Sequence, residues 1–235
     1  MRKTAMVAAT AALLAGCGAV HAGQGSGSRT FNLRGFDRVS LRGADNVVVR
    51  VGGAASISAT GPSAVLDKLE LTVVNGELRV GRQRGNWNWG PNAGTATITV
   101  SVPRLRAASV AGSGDMQVDR VQAASFNGSV AGSGNLQIAS LQADAAALSI
   151  AGSGDASIAG RARSLDVSIA GSGDLSAAAL RAERATISVA GSGDVRATVS
   201  GEADVSIVGS GDVLLGGSAR CRVSKMGSGD VRCGG

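Results

Sequence analysis

The sequence predicts an all-β protein whose short strands wind into a single-stranded parallel β-helix, a solenoid with 18 to 20 residues per coil. The first observation is a Gly-Ser-Gly triplet that occurs seven times between residues 112 and 229, at intervals of 18 to 20 residues. A repeat of this length is typical of solenoids. The second observation is an alternation of apolar residues around every triplet, and the third is a scarcity of aromatic side chains.

Apolar residues stand at even distances from the first glycine of each triplet, and small or polar residues stand at odd distances. The position three before that glycine is serine in all seven repeats and is expected to face outward. Alternation with a period of two indicates strands with one buried face. Strands this short bury their apolar face only when successive coils stack. The column two before the glycine contains Val110, Val130, Ile150, Ile169, Val189, Ile207 and Lys225.

The composition agrees with a flat, stacked core. Hydrophobic residues make up 44% of the 235-residue chain, but aromatic residues only 2%, and there is no tyrosine. Globular cores usually rely on aromatic side chains, whereas columns of Val, Ile and Leu do not need them. The net charge of +6 falls to +4 without Arg2 and Lys3. Because the remaining arginines are dispersed, a solvated basic surface is favoured over nucleic-acid binding.

Residues 1–16 have the features of a secretory signal. Arg2 and Lys3 precede an apolar segment, residues 5–14, that is too short to span a membrane as a mature helix. The segment ends in Leu14-Ala15-Gly16-Cys17, which resembles the lipobox of bacterial lipoproteins, where the cysteine becomes the lipidated N-terminus. We therefore expect a lipid anchor on Cys17.

Ordinary signal cleavage after Ala22 is the alternative, since Val20-His21-Ala22 is also a small-residue site. For a lipoprotein, Gly18 after the cysteine implies, by the same resemblance, export to the outer membrane, with the protein facing either the periplasm or the outside. Residues 17–29 are rich in glycine and serine and predict a flexible tether.

Residues 30–103 are predicted to form a less regular β-segment that lies in register with the repeats and caps them. Asn75-Gly76 between two apolar runs is a strong signal for a tight hairpin. Pro103 ends the segment, and the Gly-Ser-Gly β-helix follows over residues 104–235. The predicted elements include strands over residues 69–73, 78–80 and 95–102, and a short helical turn over residues 62–68.

Five features of the chain form a pattern that matches a known family. They are Phe36-Asp37-Arg38-Val39, residues 43–49, the hairpin at residues 75–78, Val102-Pro103 and the serial GSG-Asp turns. Together they resemble the head GIN domain family of autotransporter adhesins. The resemblance covers nearly all of the mature chain and implies a right-handed β-helix of the pectin-lyase-like kind, with an adhesive role and no catalytic residues. Because the sequence shows neither a coiled-coil stalk nor a membrane-barrel segment, we expect a lipid anchor to replace display by autotransport.

Both tryptophans lie in one segment, residues 79–94, that interrupts the strands. Trp87 and Trp89 share a parity in an extended chain and stand near Arg82 and Arg84. They can stack on a sugar or anchor a partner, which makes a carbohydrate-binding module the alternative function. The other interpretation is that one or both tryptophans fold back to cover the apolar end or flank of the β-helix.

An aspartate or asparagine follows every triplet, and two roles are open for these residues. One is hydrogen bonding to the local backbone of the turn. The other is calcium binding, because the GSGD sequence is similar to the repeat of calcium β-rolls, which recurs about every nine residues. The period here is about twice that, so turn capping is favoured and no metal or cofactor is expected. The residues are Asp115, Asn135, Asp155, Asp174, Asp194, Asp212 and Asp230.

Cys221 and Cys233 lie six residues before and six residues after Gly227, the first glycine of the last triplet. If Cys17 is lipidated, these two cysteines remain in an oxidising compartment. They predict a disulfide that closes the terminal coil, where Lys225 replaces the apolar residue of the core column. Two buried free thiols are the alternative.

The expected function is that of a non-catalytic cell-envelope lipoprotein with an adhesive or partner-binding β-helix. A glycan, an envelope protein or a second copy of the chain is the expected partner, and the flat outer face of serine and alanine either packs against one or is solvated. A polysaccharide lyase or hydrolase would need convergent acids or bases. Outside the turns the acids are scattered, and the only histidine, His21, precedes the predicted β-segment.

Overall fold

The computed structural model describes residues 25–83 and 94–234, and these residues form one 18-stranded sheet with a single short helical turn. The all-β solenoid predicted from the repeats is therefore confirmed. The strands are β1 (Ser26–Phe31), β2 (Arg38–Gly43), β3 (Asn46–Val51), β4 (Ser56–Pro62), β5 (Leu69–Val74), β6 (Glu77–Arg82), β7 (Thr97–Val102), β8 (Ala107–Gly112), β9 (Met116–Val118), β10 (Val121–Gly132), β11 (Leu136–Gly152), β12 (Ala156–Gly171), β13 (Leu175–Gly191), β14 (Val195–Val199), β15 (Glu202–Gly209), β16 (Val213–Gly216), β17 (Arg220–Gly227) and β18 (Val231–Cys233), and the helical turn is α1 (Ser63–Leu66).

The apolar columns stack as the alternation predicts. Val110 lies opposite Val130, and Val130 lies opposite Ile150, in parallel strands whose corner glycines also align. The same register continues to Ile207, and every residue of this column before Lys225 is at most 1% exposed. Because like residues lie above one another, each coil buries the apolar face of the next.

The repeats contain longer strands than the sequence suggests. β11, β12 and β13 have 16 or 17 residues and bend without losing their pairing with the next coil. Most differences in coil length are taken up at one place, where the register shifts between Ile138 and Leu141 and at the equivalent positions of the next two coils. The Gly-Ser-Gly corner keeps its register throughout, so that corner is the fixed point of every coil.

The N-terminal part does not follow the order of the sequence. β2 lies between β6 and β8, and β3 lies between β7 and β9, with all four pairings parallel. The coil formed by β2 and β3 is thus inserted between two coils that come later in the chain. Residues 30–103 are in register with the repeats, as predicted, but this insertion is not apparent from the sequence.

Antiparallel strands cover the N-terminal end of the β-helix. β5 pairs with β6, β4 with β7, and β1 with β4, all antiparallel. The predicted hairpin at Asn75-Gly76 is confirmed, and both turn residues have positive φ, 51° and 77°. Asparagine and glycine tolerate this conformation, which explains their place in the turn. α1 lies within the predicted segment 62–68 and packs beside β1 and β4.

A disulfide closes the last coil at the C-terminal end, and no further strand of the described residues covers that coil. Cys221 and Cys233 are bonded at an S–S distance of 2.02 Å, as predicted. Lys225, in the core column of this last coil, extends its Nζ to donate a hydrogen bond of 2.9 Å to the Gly229 carbonyl. A charge at this place discourages a further coil from stacking on the end. No helix among the described residues is both long enough and apolar enough to cross a membrane.

Replacing Ile150 by alanine tests the stacked core. Ile150 is 1% exposed, and the Ile150→Ala variant is expected to lose about 2–5 kcal/mol of unfolding free energy, measured by urea denaturation. The control is Ser149→Ala, which changes the adjacent, outward-facing residue and is expected to stay within about 0.5 kcal/mol of the wild type. Equal losses for the two variants would contradict the assignment of inner and outer faces.

Candidate functional site

The Gly-Ser-Gly corners hold neighbouring coils closer than any side chain allows. The first glycine of each triplet has φ between 123° and 136°. A Cβ added there would lie 2.0–2.4 Å from the carbonyl oxygen of the equivalent glycine on the preceding coil. A Cβ on the second glycine would lie 1.9–2.2 Å from a backbone oxygen. Both glycines are therefore required by the close approach, and the first also by its backbone conformation.

Backbone hydrogen bonds between corners use this proximity. The N–H groups of Ser133 and Gly134 both donate to the carbonyl oxygen of Gly112, each over 2.9 Å. One coil further, the N–H groups of Ser153 and Gly154 donate to Gly132 in the same way. The serine N–H makes this bond at every later corner. Each corner thus satisfies its own amide groups on the coil before it, which a tight turn in a stacked structure requires.

The turn aspartates form a continuous ladder along the rod. The side-chain Oδ1 of every member except the last, Asp230, accepts a hydrogen bond from the backbone N–H of the equivalent residue on the next coil, over 2.8–3.2 Å. The expectation that these residues cap their own turn is corrected by this geometry, because the bonds connect coils. The ladder contains Asn46, Asp115, Asn135, Asp155, Asp174, Asp194, Asp212 and Asp230.

Asn46 is the one member of this ladder that the sequence analysis missed. Its Oδ1 accepts a hydrogen bond of 3.2 Å from the Asp115 N–H. The signal was present, because Asn46 follows Gly43 by three residues, as Asp115 follows Gly112, and Gly43 pairs with Gly112. Within the described residues, no group of three or more His, Cys, Asp or Glu side chains is arranged to hold a metal ion.

A buried ion pair lies at the N-terminal end of the ladder. Asp45 is 1% exposed, and Arg82 binds it in a bidentate manner, with Nε 2.7 Å from Oδ2 and Nη2 2.5 Å from Oδ1. The Asp45 carboxylate also accepts a hydrogen bond of 2.8 Å from the Ala96 N–H. This hydrogen bonding to Asp45 raises the pKa of Arg82 above its ordinary value, against the smaller effect of partial burial.

The Asp45–Arg82 pair also contacts Gly94, the last residue of the tryptophan-containing segment, residues 79–94. Arg82 Nη2 donates a second hydrogen bond, of 3.1 Å, to the carbonyl oxygen of Gly94. The side chain of Arg82 therefore links Gly94 to Asp45, at the corner of β2 and β3. The predicted contact residues Arg84, Trp87 and Trp89 lie outside the described residues, and so does Cys17.

The outer serine column begins with a direct contact. Ser129 Oγ donates a hydrogen bond of 2.8 Å to Ser109 Oγ, while the serines of the later coils, from Ser149 onward, are exposed. The outward orientation predicted for the column is confirmed there. Both interpretations of the flat face, solvated or packed against a partner, stay predictions.

The family model described as "Putative auto-transporter adhesin, head GIN domain" matches residues 35–219. The match begins before β2 and reaches almost to β17, so it includes the inserted coil, the hairpin and most of the ladder. No functionally curated protein is significantly similar to the chain in sequence.

Solved structures share the fold at low sequence identity. A "putative adhesin" from Bacteroides fragilis NCTC 9343 has a TM-score of 0.82 and 21% identity, over 90% of this chain and 98% of that one. A "putative adhesin" from Parabacteroides merdae ATCC 43184 has a TM-score of 0.69 and 17% identity, over 88% and 95%. A "putative lipid binding protein" from Parabacteroides distasonis ATCC 8503 has a TM-score of 0.68 and 22% identity, over 88% and 96%.

Removing the carboxylate of Asp45 tests the buried ion pair. The Asp45→Ala variant removes the carboxylate that the Arg82 guanidinium, 18% exposed, binds in a bidentate manner, and we expect a loss of about 3 kcal/mol of unfolding free energy, measured by urea denaturation. Asp67→Ala is the matched control, because it breaks the exposed Arg29–Asp67 pair and is expected to cost less than about 1 kcal/mol. Similar losses in the two variants would show that the Asp45–Arg82 pair does not stabilise the corner.

Proposed function

The chain belongs to the head GIN domain family of putative auto-transporter adhesins, and we propose that it serves as a non-catalytic adhesive scaffold in the cell envelope. The observation that carries this proposal is the family match over residues 35–219, which spans nearly all of the described β-helix. Membership of an adhesin family supports an adhesion-like role and a place in the cell envelope or at its surface. In this role the β-helix acts as a rod that displays its outer faces to a partner.

The use of the carboxylates supports the absence of catalysis. Catalytic acids and bases must have their polar atoms directed at a substrate. The most regular acids of this chain, the turn aspartates, instead accept backbone N–H groups of the next coil. Asp45, the buried carboxylate, is occupied by Arg82 and the Ala96 N–H. These acids therefore serve the stacking of the coils.

A lipid on Cys17 is the proposed means of attachment to the outer membrane. The sequence before Cys17 has the charged start, apolar run and lipobox-like ending of a lipoprotein signal. The first described strand, β1, begins at Ser26, only nine residues after Cys17, so the N-terminal end of the rod would lie close to the membrane. The repeats would then extend away from it.

Replacing Cys17 by serine tests the anchor. We expect the Cys17→Ser protein to lose its acyl chains by intact-mass measurement and to leave the membrane fraction, because serine cannot carry the thioether-linked lipid. The control is Ala22→Leu, which blocks ordinary cleavage after residue 22 and is expected to leave a lipidated protein unchanged. A wild-type mature chain that starts at Gly23 would contradict the anchor.

Cells that produce the wild-type or the Cys17→Ser protein test adhesion and the side of the membrane on which the protein lies. Cells with membrane-bound wild-type protein are expected to attach to a glycan-coated or host-cell surface several-fold more than cells producing Cys17→Ser. Proteinase added to intact cells separates a surface protein, which is degraded, from a periplasmic one, which is protected. Attachment that is unchanged when the protein is lost from the envelope would contradict the adhesive role.

A carbohydrate-binding module built on the tryptophan-containing segment is the second candidate function. The supporting observation is the fixed base of that segment, where Arg82 binds both Asp45 and the Gly94 carbonyl. A held base lowers the entropy cost of presenting side chains to a ligand. Trp87 and Trp89 supply aromatic faces for sugar rings, and Arg84 supplies hydrogen-bond donors.

Replacing both tryptophans tests this second function. The Trp87→Ala plus Trp89→Ala protein is expected to lose most of its signal on a glycan array, because the stacking faces are gone, and to keep its thermal midpoint. Leu214→Ala is the control, since Leu214 is an exposed apolar side chain on the outer surface of the rod, and its array signal is expected to equal that of the wild type. An unchanged signal in the tryptophan variant would exclude the module.

A further inference from the structure

A long groove runs along the rod beside the bend that interrupts β10 to β13. It consists of two stretches of about 750 Å³ each, which meet at Gln122, Ala123 and Ala124. It extends from Asn75 and Gly76, at the hairpin, past Arg106, before β8, to Ser200, after β14. Arg106 and Ser200 are five coils apart, which at about 4.8 Å per coil corresponds to a length of roughly 24 Å.

Three parallel columns of residues shape the groove. The middle column consists of Ala123, Ala143, Ala162 and Ala182, which lie in register and are buried or half-buried. An exposed glutamine or arginine precedes each alanine, and an exposed charged residue follows three of the four. Short side chains between longer ones leave an open channel with an alanine floor. The walls are Gln122, Gln142, Arg161 and Arg181 on one side, and Ala124, Asp144, Arg163 and Glu183 on the other.

The groove carries an excess of positive charge. Six arginines and three acids line the two stretches, which gives a formal excess of three positive charges. Three of the arginines are paired with acids of the groove, through Arg106–Asp37, Arg38–Asp37 and Arg163–Asp144. Arg104, Arg161 and Arg181 form no ion pair with any residue of the segments 25–83 and 94–234.

The placement of Arg161 and Arg181 is unfavourable in the protein alone. The two residues lie directly opposite each other on adjacent coils, and like charges in that position repel. Some charged neighbours on adjacent coils have opposite signs, as in Asp204 and Arg222 and in Asp144 and Arg163. The like-charged turn aspartates are compensated by the backbone N–H groups that they accept. Residues that weaken a fold locally are expected where they serve binding.

We propose that this groove binds a linear anionic polysaccharide, with uronate carboxylates held by Arg104, Arg161 and Arg181. The guanidinium group matches the geometry of a carboxylate, and the amides of Gln122 and Gln142 can donate to and accept from sugar hydroxyls. The alanine floor lets the chain lie flat along the rod. This assignment rests on the proposed adhesive function and gives it a ligand class and a site.

The lining favours a polysaccharide over a nucleic acid. Single-stranded nucleic acids are bound by exposed aromatic side chains on which bases stack. The aromatic residue in the described lining is Phe36, which is buried, with 7% exposure.

Binding of oligogalacturonate to the mature full-length protein, measured by isothermal titration calorimetry, tests the groove. The Arg161→Gln plus Arg181→Gln variant is expected to bind about tenfold more weakly, because two charge-assisted contacts are lost. The control is Arg184→Gln plus Arg220→Gln, which removes the same charge from exposed positions outside the groove lining and is expected to stay within about twofold. Asp144→Asn, which removes a repulsive carboxylate, is expected to tighten binding.

Four results would overturn the proposal. The first two are no binding of oligogalacturonate by the wild type and equal weakening in the groove variant and its control. The third is equal or tighter binding of oligothymidylate, and the fourth is equal binding of the fully methyl-esterified oligomer, because it lacks the carboxylates. Thermal midpoints of all variants show that they are folded. Whole-cell attachment is measured separately, so a groove that fails to bind leaves the adhesive role to stand or fall on its own test.

Discussion

The close approach of backbones at the Gly-Ser-Gly corner is the constraint on which the structure depends. A glycine carbonyl accepts two N–H groups from the next coil, at a separation that leaves no room for a Cβ. This contact fixes the register of each coil against its neighbour. The aliphatic columns, the serine column and the aspartate ladder all follow from that register, since each residue stands at a constant distance from the corner.

The features that the sequence predicted are those with a short period or a local signature. The repeat spacing, the alternation around Ile150 and the Asn75-Gly76 turn are patterns within a few residues, and the disulfide followed from two cysteines equally spaced about one corner. The inserted coil and the Asp45–Arg82 pair join segments that are distant in the chain and leave no periodic trace. The sequence also did not show which backbone groups the turn aspartates bind. An aspartate that caps its own turn and one that binds the next coil are the same amino acid at the same position.

The turn aspartates and the groove arginines occupy different corners of each coil. The acids of the Gly-Ser-Gly corner are consumed by backbone N–H groups, and a change there would disturb the stacking itself. The exposed arginines of the groove, such as Arg161 and Arg181, take no part in the ladder. They lie beside the place where the register shifts and the length of the coil varies. The constant corner thus carries the stacking, and the proposed groove lies where the coil length varies.

The placement of β2 and β3 between later strands gives the rod a direction of assembly. Their coil pairs with β6 and β7 on one side and with β8 and β9 on the other, so the N-terminal end cannot close until residues up to Val118 are available. A chain that is synthesised from its N-terminus must keep this end open while more than half of its repeats are still to come. The repeats themselves add one after another. Duplication or loss of a middle coil would therefore lengthen or shorten the rod without disturbing either terminus.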